Sequence, residues 1–174
     1  MNKLIIVLLL IFAFYLLVGN VSANKITIPD QAIRLRVIPN SNTESDQTIK
    51  KKVSQLLQKK MYYLLKNTKG IEEARNVIEN NISDIDNSIS NMLLDQEYYL
   101  GYKVNFGYNY FPAKEFNDVI YDEGYYESVL VTLGKGEGDN WWCVLFPPLC
   151  LLEASESDKV EYKFFIKEMI EKYL

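Results

Sequence analysis

The residue types best suited to chemistry cluster in one stretch of the chain. Gly134-Lys-Gly-Glu-Gly138 stands just before Trp141-Trp142-Cys143, and Cys150 follows Cys143 with six residues between them. A glycine-rich run after an apolar segment is where phosphate loops occur. This one is neither G-x-G-x-x-G nor G-x-x-x-x-G-K-[ST], since Asp139 follows Gly138 and no Lys-Ser or Lys-Thr pair closes it. Glu137 and Asp139 would repel a phosphate. The next element reads as a strand, so no helix N-terminus is offered to an anion. A hairpin turn is the expectation.

Other reaction chemistries meet similar obstacles. The chain contains no histidine, which removes Ser-His-Asp and Cys-His nucleophile systems and His-ligated zinc. Two cysteines cannot make an all-cysteine zinc site. The spacing Ser-x-x-Lys occurs only at Ser22 and Lys25, and no Asp-Thr-Gly or Asp-Ser-Gly is present. Asp84, Asp86 and Ser88 resemble the start of a calcium loop, but Ile89 stands where its sixth-position glycine belongs. No catalytic, metal or cofactor residues are therefore assigned. A secreted cell-wall or glycan-active enzyme working through carboxylates is the alternative that spacing alone does not address.

Trp141 and Trp142 are adjacent, so on a strand they face opposite ways, and at most one enters the core. The other lies under a second layer or at an interface, where exposed tryptophan is enriched among the residues that dominate binding.

The elements that position these residues are legible from periodicity. Ile33, Leu35 and Val37 alternate with Arg34 and Arg36, a half-buried strand ended by Pro39-Asn40-Ser41-Asn42. Ser41 before Glu44 and Thr43 before Asp46 both fit a helix start. Ile49, Val53, Leu56, Leu57, Met61, Leu64 and Leu65 then recur at helical spacing. Lys50, Lys51, Lys52, Lys59 and Lys60 lie mostly off that stripe, as a solvated face or as a surface for an anionic partner. Ile71, Ala74, Ile78, Ile82, Ile85, Ile89 and Leu93 mark a second helix. From Tyr98 to Tyr110 the period becomes two. A loop over 113–124, a strand over Tyr125–Leu133 and another over Trp141–Phe146 follow, and Val160 to Leu174 reads as a C-terminal helix. The expected fold is α+β, in the order β-α-α-β-β-β-α. It is a mostly antiparallel sheet of about four strands with a helical hairpin on one face.

The first residues read as an export signal. Lys3 precedes an unbroken apolar run from Leu4 to Val18, and Val21-Ser22-Ala23 offers small residues before a cut. At 1.5 Å per residue that run falls short of the roughly 30 Å hydrocarbon core. Cleavage between Ala23 and Asn24 is expected, an uncleaved anchor being the alternative and the only membrane attachment foreseen. Residues 1–23 are then the signal, 24–152 one α+β domain, and 153–174 the helix packed on or near it. The whole chain has a net charge of −4, which argues against a nucleic-acid partner. In an exported chain an even cysteine count at short spacing usually forms a bridge, here Cys143 to Cys150, against two buried thiols.

Three stretches together resemble the stage II sporulation protein R family: Arg34-Leu-Arg-Val-Ile-Pro-Asn-Ser41, Tyr110-Phe-Pro-Ala-Lys114, and the long run from Gly134 through Trp141-Trp142-Cys143 to Cys150. The resemblance covers residues 32–150. It implies a secreted sporulation signal rather than an enzyme, passed from the forespore into the space between the two septal membranes. There it would activate a membrane-embedded aspartic protease of the mother cell, which cleaves the precursor of the early mother-cell sigma factor. Arg34, Arg36 and the more exposed of Trp141 and Trp142 are the expected partner-binding residues. No cofactor is implied.

N-terminal sequencing of the exported protein is expected to begin at Asn24; a start at Met1 would show that the apolar segment is kept.

Overall fold

The computed structural model describes residues 32–116 and 119–147. Six strands and two helices follow in order: β1 (Ile33–Ile38), α1 (Glu44–Leu65), α2 (Ile71–Asp95), β2 (Tyr102–Phe111), β3 (Lys114–Phe116), β4 (Val119–Tyr121), β5 (Gly124–Leu133) and β6 (Trp141–Phe146). The C-terminal helix expected over 153–174 and the export signal lie outside the described residues. Among the described residues no helix is long and apolar enough to cross a membrane.

The chain divides into two units, one holding residues 32–111 and 124–147, the other residues 112–123. The smaller unit corrects the loop expected over 113–124, because β3 and β4 pair there as an antiparallel ribbon. Three-residue strands carry too little alternation to be seen as a pattern.

Helix α1 starts where its chemistry directs. Thr43 is the N-cap, its Oγ1 accepting from the Asp46 amide at 3.3 Å. Glu44 and Asp46 set negative charge against the positive end of the helix dipole. Its buried stripe is Ile49, Val53, Leu57, Met61 and Leu65, and that of α2 is Ala74, Ile78, Ile85, Ile89 and Leu93. Gly70 has no side chain to cap α2, and Glu73 substitutes by accepting from the Lys69 amide at 2.9 Å.

Beyond α2 the expected strand from Tyr98 starts late, at Tyr102. Glu97 has φ 53°, and the Tyr98 amide turns back to donate to the Leu93 carbonyl at 2.9 Å. That closure of the helix end consumes the residues before the strand.

The four-stranded sheet has the order β2-β5-β1-β6. β5 is antiparallel to β2 but parallel to β1, and β1 is antiparallel to β6. The sheet is therefore mixed rather than mostly antiparallel. The direction of each strand follows from chain order, since two helices between β1 and β2 return the chain antiparallel. Adjacency did not follow. β5 and β6 are consecutive, yet β1 is inserted between them, so Gly134–Asn140 is not a hairpin turn but a connection that crosses the end of β1.

Both helices cover one face. Ile33, Leu35, Val37, Val129, Val131, Leu133 and Leu145 meet the apolar stripes of α1 and α2 in one core. Glu127 breaks the apolar pattern of that face. It is 8% exposed, and its carboxylate receives Arg75 of α2 in a fork, Nε to Oε1 at 2.5 Å and Nη2 to Oε2 at 2.8 Å. Glu72 also pairs with Arg75. These carboxylates raise the Arg75 pKa, hydrogen bonding to Glu127 being the largest cause, so the guanidinium stays charged.

Removing one partner of a buried pair costs about 3–5 kcal/mol and of an exposed pair about 0–1 kcal/mol. Glu127→Ala, with Arg75 still partly wetted, is expected to destabilise the fold by about 2 kcal/mol in urea unfolding. A loss under about 0.5 kcal/mol would show that the fork does not hold α2 to the sheet.

Candidate functional site

The site is built on the sheet face that the helices leave uncovered, and on the loops at the C-terminal end of β1. In β1 the odd residues point into the core, which directs Arg34 and Arg36 to the other face. Register places Ser128 and Val144 beside Arg34, and Leu130 and Trp142 beside Arg36.

On this face cations and rings interleave. The Arg34 guanidinium carbon lies 3.3 Å from the centre of the Tyr126 ring and 5.6 Å from that of Phe111. That of Arg36 lies 5.3 Å from Phe111 and 5.8 Å from Trp142. Phe111 meets Trp142 edge-to-face at 5.1 Å and Tyr126 at 6.0 Å. Tyr126, Arg34, Phe111, Arg36 and Trp142 thus form one alternating ladder. Charge over the faces of successive rings offsets part of the cost of taking guanidinium groups out of water.

The two arginines differ in exposure. Arg34 is 3% exposed, so it does not present the free surface that its strand position suggested. Arg36 is half-buried; its Nη1 donates to the Tyr110 carbonyl at 2.8 Å, and its Nε has no hydrogen-bond partner among the described residues. Burial lowers its pKa. Trp141 and Trp142 separate as adjacency requires. Trp141, beside Val37, packs against the helix-side core, and Trp142 stands on the arginine face. Both remain partly exposed.

Phe111 and Tyr126 were not singled out from sequence. Phe111 closes the alternating run on the side of its polar residues and Tyr126 lies in a strand apolar on both faces, and only the pairing of β2, β5 and β1 brings them over the arginines.

The glycine-rich stretch serves the neighbouring loops. Its amides bind the chain leaving β1: Lys135 N–H donates to Asn40 Oδ1 at 3.0 Å, Glu137 N–H to the Asn40 carbonyl at 3.1 Å, and Gly138 N–H to the Pro39 carbonyl at 3.1 Å. Asp139 N–H donates to Asn42 Oδ1 at 2.6 Å. A Cβ on Gly134, at φ 54°, would stand 2.4 Å from Asn40 Oδ1, and one on Gly138 would stand 2.3 Å from the Ser41 carbonyl oxygen. Glycine is required at Gly138 because two backbones touch, and at Gly134 by the left-handed φ and the packed Asn40 side chain, not because a phosphate is held.

Asp46 completes this latch. Its Oδ2 accepts from Ser41 Oγ at 2.6 Å and Asn40 Nδ2 at 2.9 Å. The Ser41 bond above all, then the Asn40 bond, holds its pKa below the ordinary 3.8. Asn40 therefore joins three elements, with its amide nitrogen on α1, its side-chain oxygen on the crossing loop and its backbone at the end of β1.

Cys143 lies in β6 beside Leu35. Cys150 is outside the described residues, so the expected bridge is not placed by this structure. Among the described residues no group of three or more His, Cys, Asp or Glu side chains could hold a metal ion.

Comparison with known proteins bears on residues 29–156, which match the family model of stage II sporulation protein R. A curated relative, stage II sporulation protein R of Bacillus subtilis (strain 168), is 39% identical over 152 residues, covering 86% of this chain and 68% of its own. No solved structure matches the chain. The chain belongs to the stage II sporulation protein R family. Within the larger unit the described parts of the three stretches, residues 34–41, 110–111 and 134–147, meet at the arginine ladder and at the latch.

Because the Asp46 pKa is depressed in the folded state, its bonds stabilise the fold above the unfolded value of about 3.8 and lose that effect as pH falls through the folded value. Asp46→Asn is expected to cost about 2 kcal/mol at pH 7, within the range for hydrogen bonds to a charged group. The gap from the parent should narrow steadily below about pH 4. A gap that stays constant down to pH 2 would show that the carboxylate charge is not what the latch uses.

Proposed function

We propose that this member of a sporulation family is an exported developmental signal. In this reading the domain crosses the forespore inner membrane and enters the space between the septal membranes. There it activates a membrane-embedded aspartic protease of the mother cell, which cleaves the precursor of the early mother-cell sigma factor. The domain acts by binding, not by catalysis. Family membership over residues 29–156 is the observation that carries the reading. The apolar segment Leu4–Val18 followed by Val21-Ser22-Ala23 supports export.

The arginine ladder supplies the contact surface in this proposal. A binding residue needs exposed area that packing does not require. Arg36 and Trp142 meet this condition, being half-buried on the helix-free face with aromatic and cationic character suited to a hot spot. Arg34, enclosed beside Tyr126, serves to hold the ladder in place. Trp141 packs against the core side. A Cys143–Cys150 bridge would fix the residues that follow β6, next to Trp142.

The test pairs stability with processing in a sporulating strain whose own copy of the gene is deleted. Deletion alone should leave the sigma-factor precursor uncleaved. Arg36→Ala is expected to reduce cleavage at least tenfold while Tm falls by no more than a few degrees, whereas Arg34→Ala should lower Tm and cleavage together. Normal cleavage in the deletion strain overturns the function. Normal cleavage with a stable Arg36→Ala protein overturns the contact surface alone.

A further inference from the structure

Charge is divided unevenly between the two faces of the four-stranded sheet. Strand register sends alternate residues away from the helices, among them Lys103 of β2 and Arg34 and Arg36 of β1, and none of these outward residues is Asp or Glu. The whole chain has 23 acidic and 19 basic residues, so a face with cations and no acid runs against its composition. The helix-covered face treats an arginine differently. There Arg75 binds the carboxylates of Glu127 and Glu72, which raise its pKa. Burial lowers the pKa of Arg36, and no carboxylate among the described residues opposes the shift.

Arg36 has the surroundings of one half of an ion pair. Its Nη1 donates to the Tyr110 carbonyl at 2.8 Å and its Nε is enclosed, while its Nη2 is neither enclosed nor bonded among the described residues. The rings of Phe111 and Trp142, at 5.3 Å and 5.8 Å from the guanidinium carbon, keep water from its sides. Rings attract a cation but do not replace an acceptor in the guanidinium plane. A carboxylate does, through a charge-assisted bond that strengthens where water is excluded. Lys103 is exposed and forms no ion pair among the described residues. It stands two strands from Arg36, about 10 Å away in the pairing direction. Between them β5 presents Leu130, half-buried, beside Arg36. A phosphate or a lipid headgroup uses cations alone. Two cations separated by an apolar side chain instead match a peptide that carries acidic and apolar residues together.

We infer that the arginine face recognises an acidic segment of a partner protein, with one Asp or Glu on Arg36, a second on Lys103, and an apolar side chain between them against Leu130. This rests on the signalling reading and adds to it the chemistry of the partner.

The test uses a sporulating strain whose own copy of the gene is deleted, with Tm measured on each purified variant. Arg36→Gln removes the charge and Arg36→Glu reverses it. Cleavage of the sigma-factor precursor is expected to fall with Arg36→Gln and at least tenfold further with Arg36→Glu, whereas lost ring packing alone affects both alike. Lys103→Glu alters an exposed side chain and is expected to lower cleavage at least threefold at unchanged Tm. Each Asp and Glu of the protease that faces the space between the membranes is then changed in turn to Lys. One such change should restore cleavage to the Arg36→Glu protein while weakening it with the parent. If Arg36→Glu unfolds, Lys103→Glu takes its place in that exchange. Equal cleavage by stable Arg36→Gln and Arg36→Glu proteins, parental cleavage by Lys103→Glu, or the absence of a restoring change overturns the acidic segment and leaves the signalling reading in place. Normal cleavage in the deletion strain overturns both.

Discussion

Two backbones cross at the C-terminal end of β1, and the remainder of the fold depends on how closely they approach. The connection from β5 to β6 passes over Pro39–Asn42, and its amides donate to the carbonyls of Pro39 and Asn40 and to the side chains of Asn40 and Asn42. Such contact is possible only if the crossing chain has no side chain at the points of contact. Gly138 meets that condition, since a Cβ there would stand 2.3 Å from the Ser41 carbonyl oxygen, while Gly134, at φ 54°, leaves room for the Asn40 side chain. If the crossing loosened, β6 would lose its place beside β1. With it would go the position of Trp142 next to Arg36.

Asp46 links this crossing to the helical layer. It is a buried carboxylate in the first turn of α1, and its partners Ser41 and Asn40 belong to the chain leaving β1. One charge thus complements a helix dipole, orients the Asn40 carboxamide and so aims the oxygen that receives the Lys135 amide. The same economy recurs at Glu127, whose carboxylate sits in the core face and is tolerated because Arg75 reaches it with two nitrogens. The buried carboxylates Asp46 and Glu127 are both matched by directional bonds to another element.

The two faces of the sheet consequently do different work. One is apolar and closed by α1 and α2. The other carries cations among rings, an arrangement that withstands partial burial yet keeps Arg36 and Trp142 partly exposed. Membership of the stage II sporulation protein R family gives that second face its interest.

The sequence by itself determined the local structure. Period-two alternation in β1 and β2, the apolar stripes of α1 and α2, and a helix start at Ser41 or Thr43 are properties of neighbouring residues, and neighbouring residues are sufficient to specify them. Adjacency also separated Trp141 from Trp142 and set Arg34 and Arg36 opposite the core. Which strands lie side by side was decided only in the tertiary structure. The insertion of β1 between β5 and β6 arises from hydrogen bonds between residues about a hundred positions apart, such as Asn42 with Asp139, and no periodicity records them. For the same reason the glycines read locally as a turn, and Arg34 read as exposed until Tyr126 and Phe111 were brought over it from two other strands. Local pattern fixes which way a side chain points; only the packed sheet decides what it meets there.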